Sequence, residues 1–376
     1  MKNKKIKTIL TFVLIDVLMF AVCLLSFAYL HHVRVMWSPG DDGGGDIIIG
    51  RPTVHGTDTP ETHPQSPEDT ATPGSDGTHG NDNDTAPTAP PETDAVTEPP
   101  EPPHKFEELF APEGKVEITD SLYRSHDIYM TVDEITETVG DYLVRYYLYD
   151  VYVRNIENIY TVAVTSGHSS QAPERVFLSQ LIDAAGDPIA AVSGDFWYKN
   201  AKIAVRNGET LRAGNKTEND FCVMYTDGVI KTFPGSALHG FELTDDVYQV
   251  WHFGPSLLDE DGHAKTDFGS KNDIAGKHPR SSIGYYEPGH YCFIVVEGRR
   301  HITYNEKRVY LGGIRFRELA GIYERLGCTV AYNFDGGDSA YGYYNGEVIR
   351  EDWSRAHESG EEPRKIYDII CVGEIG

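Results

Sequence analysis

Cysteine is scarce, with five in 376 residues. No two stand in a CxxC spacing, so the sequence indicates no zinc cluster. HExxH, GxSxG and phosphate-loop signatures are all missing, which removes the usual routes to zinc peptidases, nucleophile-elbow hydrolases and P-loop nucleotide hydrolases. Positive charge is short as well: 33 Lys and Arg stand against 58 Asp and Glu, for a net charge of −25. Such a field repels nucleic acid, and a nucleic-acid partner is not expected. Large apolar residues are nearly missing from residues 38–104, a stretch with 14 Asp or Glu and one Arg. It is rich in Pro, Thr, Asp and Gly and cannot bury enough surface to offset its ordering entropy. It is expected to be a disordered acidic stalk, on the order of 45 Å r.m.s. or longer.

What precedes the stalk is apolar. Lys2, Lys4, Lys5 and Lys7 lead into a run from Ile9 to Leu30, which as a helix spans roughly 33 Å, enough to cross a bilayer. Residues 1–37 are therefore expected to form a cytoplasmic tip and membrane anchor, with the C-terminal part outside the cell. Asp16 is a defect in that run. The alternative is a cleaved signal peptide with Ser26-Phe27-Ala28 as the small-x-small site, which would leave a secreted protein. Cys23 lies in this run; Cys222, Cys292, Cys328 and Cys371 allow three pairings, with buried free thiols the plainer expectation.

Residues 105–376 should fold. Strands are expected over 141–154, 159–166, 189–193 and 365–373, from alternation and from Tyr, Val and Ile content. Hairpins are expected around Asp227-Gly228, Glu287-Pro288-Gly289-His290 and Asn345-Gly346. Residues 248–264 read as strand-like, with a turn at Asp261-Gly262. Apolar residues at helical spacing, each set closed by a glycine, predict helices over 173–186 and 314–327; the second lacks an N-cap residue. The fold class is α+β: one mostly sheet domain with two main helices.

The segments "LIDAAGDPIAAVSGDF" and "IYERLGCTVAYNFDGGD" echo each other. Each runs helix, glycine, short apolar strand, then glycines and carboxylates where the strand emerges. Ligands collect at strand ends in sheets with helix-linked strands, so the two exits are expected to line one cleft. The loop Asp335-Gly336-Gly337-Asp338-Ser339 can be read as a turn, because glycine allows positive φ and Asp caps turns. It also suits a site, since two carboxylates beside glycine amides fit acid/base work on a sugar or phosphate oxygen. Asp195 adds a third carboxylate beside Phe196, Trp197 and Tyr198, whose faces could pack on a sugar or belong to the core. Arg280 could hold a phosphate through two nitrogens or pair with one of the aspartates. His168 and His252 are isolated histidines, read as structural or solvated.

Four stretches, "AVSGDFW", "WHFGPSLLDEDG", "HPRSSIG" and "GGIRFRELAGIYERLGCTVAYNFDGGDSA", resemble the phosphodiester glycosidase family, in family order from about Tyr142 to the C-terminus. The match covers Gly194, Asp195 and Phe196; Pro279, Arg280, Ser281 and Gly284; and Asn333, Asp335, Gly336, Gly337 and Ser339. Ser193, Phe334, Asp338 and Ala340 depart from the family's usual Asn, Leu, Gly and Ser. The resemblance implies an extracellular hydrolase that cleaves a sugar-1-phosphodiester in a phosphoglycan or exopolysaccharide. It implies catalytic roles for Asp335 and Asp195, and Asp338, as the loop's second carboxylate, is read as a third catalytic candidate. Arg280, Asn333, Gly336, Gly337, Ser339, Gly194, Ser281 and Trp197 would bind substrate. No cofactor is required by this reading, although Asp195, Asp335 and Asp338 are oxygen ligands of the kind calcium takes. A catalytically silent glycan-binding module is one alternative; a phosphodiesterase or phosphotransferase acting at phosphorus is another.

Overall fold

The computed structural model describes residues 105–165, 173–268, 275–350, 360 and 362–375. The expected anchor and stalk, and His168, lie outside the described residues. Among the described residues no helix is long and apolar enough to cross a membrane.

The domain is mostly antiparallel sheet with few helices. One seven-stranded sheet has the spatial order Glu117–Ile118, Leu122–Arg124, Ile128–Val139, Tyr142–Val153, His290–Val296, Arg280–Glu287 and Val330–Asn333. A five-stranded sheet runs Ile230–Phe233, Phe221–Tyr225, Val247–Trp251, Ile203–Arg206 and Glu209–Ala213. A second five-stranded sheet runs Glu347–Arg350, Gly342–Tyr344, Ala190–Ser193, Asp368–Val372 and Ile159–Ala163. Arg300–Tyr304 and Lys307–Leu311 form a separate hairpin.

The three sheets share one core. Tyr149, Val151 and Val153 face inward with Phe293 and Val295 of the same sheet, Met224 and Trp251 of the second, and Val192 and Ile370 of the third. The intervening Val144, Tyr146 and Leu148 face the opposite side, as the two-residue period of a strand requires. There the helix Phe316–Leu326 covers them with Phe316, Leu319, Ala320, Ile322 and Tyr323. Each large apolar side chain so buried contributes about 1.5–3 kcal/mol. Gly327 ends the helix at φ 82°, as its position after the last apolar residue led one to expect. The four cysteines of the domain are buried thiols, the Cys292 and Cys328 sulfurs 3.6 Å apart.

The other helix is shorter than its sequence suggests. It spans Leu178–Ala185 and not the whole of 173–186. Val176 exchanges two backbone hydrogen bonds with Ile366, at 3.0 and 2.9 Å. This pairing keeps the segment before Leu178 extended and ties it to the chain leading into the last strand. Strands Ile128–Val139, Ile203–Arg206, Glu209–Ala213, Arg300–Tyr304 and Lys307–Leu311 were not anticipated. Several of them carry polar residues on exposed faces, which blurs their alternation.

Candidate active site

Both helix–glycine–strand units form as their sequences imply, and their exits meet. Strands Ala190–Ser193 and Val330–Asn333 belong to different sheets. Past their ends, the Asp335 amide donates to the Gly194 carbonyl at 3.0 Å. The Phe334 amide donates to the Ser281 carbonyl at 2.8 Å, and the Ser281 hydroxyl donates to the Ser193 carbonyl at 3.0 Å. Ser193 closes the junction: its hydroxyl donates to the Ser339 carbonyl and accepts from the Tyr341 amide. Ser193 and Ser281 are thus buried braces between the two exits.

On the first exit, Asp195 is fully buried. Its carboxylate accepts from Arg206 Nη2 and from the His252 amide, each at 2.6 Å. Asp368, on the neighbouring strand, accepts from the amides of Asp195 and Phe196, each at 3.2 Å, and from Arg206 Nη2 at 3.3 Å. One guanidinium therefore faces two buried carboxylates. Burial, and then the nearby Asp195 charge, push the Asp368 carboxyl well above the usual range. A Cβ at Gly194 would lie 2.3 Å from Asp368 Oδ2, so the turn requires glycine. Phe196, held by the same carboxylate, adopts φ 58°, a costly conformation for a bulky residue and one often found at functional sites. Trp197 is in the core, its indole N–H donating to the Val164 carbonyl at 3.2 Å. His252 is also internal: its Nδ1 accepts from the Lys202 amide at 2.7 Å, and burial lowers its pKa.

On the second exit, Asn333 is buried. Its side-chain nitrogen donates to the carbonyls of Gly254 and Phe334, each at 2.8 Å, and its Oδ1 has no partner among the described residues. The Gly336 amide donates to Asp335 Oδ1 and the Gly337 amide to the Pro279 carbonyl, each at 2.9 Å. Both amides are thus engaged by protein acceptors, one of them outside the loop. A Cβ at Gly336 would stand 2.6 Å from the Pro279 carbonyl oxygen, which accounts for that glycine. Arg280 lies behind the loop. It stacks 3.9 Å from the centroid of Phe316, donates to the carbonyls of Ile314 and Gly276, and is brought by burial down to about 9.

Asp335 differs from the other two aspartates in making no ion pair among the described residues. It is half-buried, and the protein packed around it pushes its carboxyl up to about 6. The Ser339 hydroxyl, Arg364 and the Gly336 amide pull the other way, while Asp195 adds to the rise. A carboxyl near this value can lose and regain a proton close to neutral pH. Asp338 is half-buried as well and pairs with Arg299, whose Nη2 is 3.3 Å from His278 Nδ1. The structure thus brings Asp335, Gly336, Gly337 and Ser339 to the junction with Gly194. It sets Asp195, Asn333, Ser281, Arg280 and Trp197 behind it as buried supports. Among the described residues no group of three His, Cys, Asp or Glu could hold a metal ion.

Sequence reasoning missed Arg206, Asp368, Arg299 and Arg364. Asp368 carried a signal, an acid inside the otherwise apolar "YDIICV" strand, since unpaired acids are rarely buried. The three arginines carried none, because their partners come from distant parts of the chain.

The profile of the phosphodiester glycosidase family matches residues 186–373, which include every junction residue named above. The solved catalytic domain of zebrafish N-acetylglucosamine-1-phosphodiester alpha-N-acetylglucosaminidase, auto-inhibited by pro-peptide, is similar at a TM-score of 0.51 and 15% identity. That match covers 66% of this chain and 83% of the zebrafish one, and at this identity it is a likeness of fold. The SPbeta prophage-derived uncharacterized protein YomE of Bacillus subtilis (strain 168) is 22% identical over 168 residues, 43% of this chain and 25% of YomE. The chain thus matches about a quarter of the length of that curated relative.

Proposed function

The chain belongs to the phosphodiester glycosidase family, and on that premise we propose that it hydrolyses the bond between a sugar's anomeric carbon and a phosphodiester oxygen. The observation that carries the proposal is Asp335: a reachable carboxylate at the junction of two strand exits, raised to about 6. It is mostly ionised at neutral pH yet basic enough to take a proton. It acts at the anomeric centre, as base toward attacking water or as the nucleophile itself. The leaving group is a phosphate monoester, already stable as an anion, so little general-acid help is needed. Positive charge developing on the sugar is stabilised by the Asp335 carboxylate. Asp195 stays ion-paired behind the site and fixes the Gly194 carbonyl that locates Asp335.

The zebrafish protein, an N-acetylglucosamine-1-phosphodiester alpha-N-acetylglucosaminidase, supports the bond type. For this chain the substrate is proposed as a phosphoglycan or exopolysaccharide, met outside the cell by a domain held on a membrane-anchored stalk. The test incubates the full chain with a panel of sugar-1-phosphodiesters in oxygen-18 water. Label in the released sugar supports cleavage at carbon. Label in the phosphate shifts the chemistry to phosphorus, and no turnover with any sugar refutes the enzyme reading.

A further inference from the structure

Of two cavities of about 700 and 640 Å³, the smaller is lined by Phe196 of the first exit. Both are lined by Arg175 and Lys365, so they adjoin. Arg364 lines the larger and Lys199 the smaller. In a chain of net charge −25, these four cations make no ion pair among the described residues. Two acids, Glu174 and Glu362, line the same cavities and leave the cations in excess. Three of the cations rest beside aromatic rings instead: Lys365 at 4.6 Å from Phe177, Lys199 at 5.9 Å from Tyr198 and Arg364 at 6.0 Å from Phe196. Phe196 packs on Tyr367 at 4.9 Å, giving the floor an aromatic edge. The groove reaches the junction through Arg364, whose charge acts on the Asp335 carboxyl and whose buried Nε has no hydrogen-bond partner among the described residues.

We propose that this groove holds the phosphate-bearing side of the substrate, and that the substrate is a polymer of phosphodiester-linked units. Arg364 takes the phosphate next to the bond cut at Asp335. Arg175, Lys199 and Lys365 take the phosphates that follow. Cations that make no ion pair among the described residues are free of those acids when they meet an anion, and aromatic edges suit the apolar faces of sugar or polyol units between phosphates. Arg280, enclosed behind the loop and stacked on Phe316, orders the segment leading to Ser281 instead. The inference rests on the cleavage reading above for the position of the scissile bond, but the groove's affinity is measurable without turnover.

The test uses the full chain in two arms. In the first, fluorescence polarisation follows a labelled oligo(glycerol phosphate) of about five units. Binding is expected to weaken steeply with added salt, and at least tenfold in the Arg175→Glu, Lys199→Glu, Lys365→Glu variant. All three residues are exposed, and a melting curve checks that the variant is folded. Lack of binding by the wild type, or equal binding by a folded variant, overturns the proposal. So does equally tight binding of an oligodeoxynucleotide of the same charge, which would mark a generic polyanion surface. If the triple variant does not fold, Arg175→Gln alone must weaken binding, and unchanged affinity overturns the proposal. In the second arm, a sugar-1-phosphodiester with a methyl aglycone is compared with one extended by further phosphodiesters. The extended substrate is expected to show at least tenfold higher kcat/KM, an advantage lost in the variant. Salt-sensitive binding with no cleavage of either substrate would refute the catalytic reading and leave the groove standing. Cleavage of both at equal kcat/KM would do the reverse.

Discussion

Asp335→Asn should make the protein more stable at neutral pH while removing its activity. Burial moves the Asp335 carboxyl from 3.8 to about 6, and each unit corresponds to 1.36 kcal/mol. At pH 7.5 the ionised carboxylate therefore costs the folded state at most about 3 kcal/mol; water reaching a half-buried group lowers this to roughly 1–3 kcal/mol. The folded-state value is raised, so the folded chain holds the proton more tightly than the unfolded chain. The proton's stabilising effect is complete below about pH 4 and is lost as the pH rises through about 6. Asparagine keeps an oxygen for the Gly336 amide and the Ser339 hydroxyl but carries no charge. For a domain of this size the variant should melt about 2–12 °C higher at pH 7.5, and the two proteins should converge near pH 4. Thermal unfolding from pH 4 to 8, run beside a turnover assay, measures both effects. Turnover should fall at least about 100-fold, and wild-type activity should rise with pH through about 6. A variant that melts lower at pH 7.5, or a gap in melting temperature that does not change with pH, would refute the reasoning.

Three other outcomes follow from the same geometry. Gly194→Ala should destabilise the fold by about 1–3 kcal/mol or more, because the new methyl meets Asp368 Oδ2 at 2.3 Å; an unchanged denaturant midpoint would count against the close approach. Arg206→Met leaves Asp195 and Asp368 buried without their cation. The expected loss is about 3–5 kcal/mol at pH 7, smaller at pH 5 where Asp368 is more readily protonated; equal losses at both pH values would argue against the shared guanidinium. Asp338→Ala, Arg299→Ala and the double variant should give a coupling of only about 0.2–1 kcal/mol in urea unfolding, since Arg299 is partly exposed. A coupling several times larger would mean the pair braces the loop.

The local units were legible in the sequence because their signals are local. Apolar spacing and a closing glycine located the helix before Gly327, and Asn345-Gly346 located the last hairpin with both residues at positive φ. The echo between the units anticipated the meeting of the two exits. Which carboxylate stays reachable was not legible. Asp195 and Asp335 look alike in sequence, each beside glycine after a buried strand. Asp195 is closed off by Arg206, the His252 amide and Asp368, the last of these 173 residues away. A similarly long separation hid the helix start at Leu178, where pairing of Val176 with Ile366 outweighs helical spacing.

The departures from the family pattern also change meaning once their partners are known. An aspartate at 338 should add negative charge to a loop that the sequence alone suggested as an anion site. Its pairing with Arg299 makes the local addition neutral, and the same arginine lies against Gly337, 3.2 Å from where a Cβ would be. Serine at 193 does not leave a gap where an amide is usual. Its hydroxyl joins the strand exit to the 339–341 segment with one donated and one accepted hydrogen bond. Both substitutions thus resolve within the loop's own framework. Of the three aspartates at the junction, Asp195 and Asp338 are each balanced by an arginine. Asp335 makes no ion pair among the described residues, and it is the half-buried carboxylate to which the proposed chemistry is assigned.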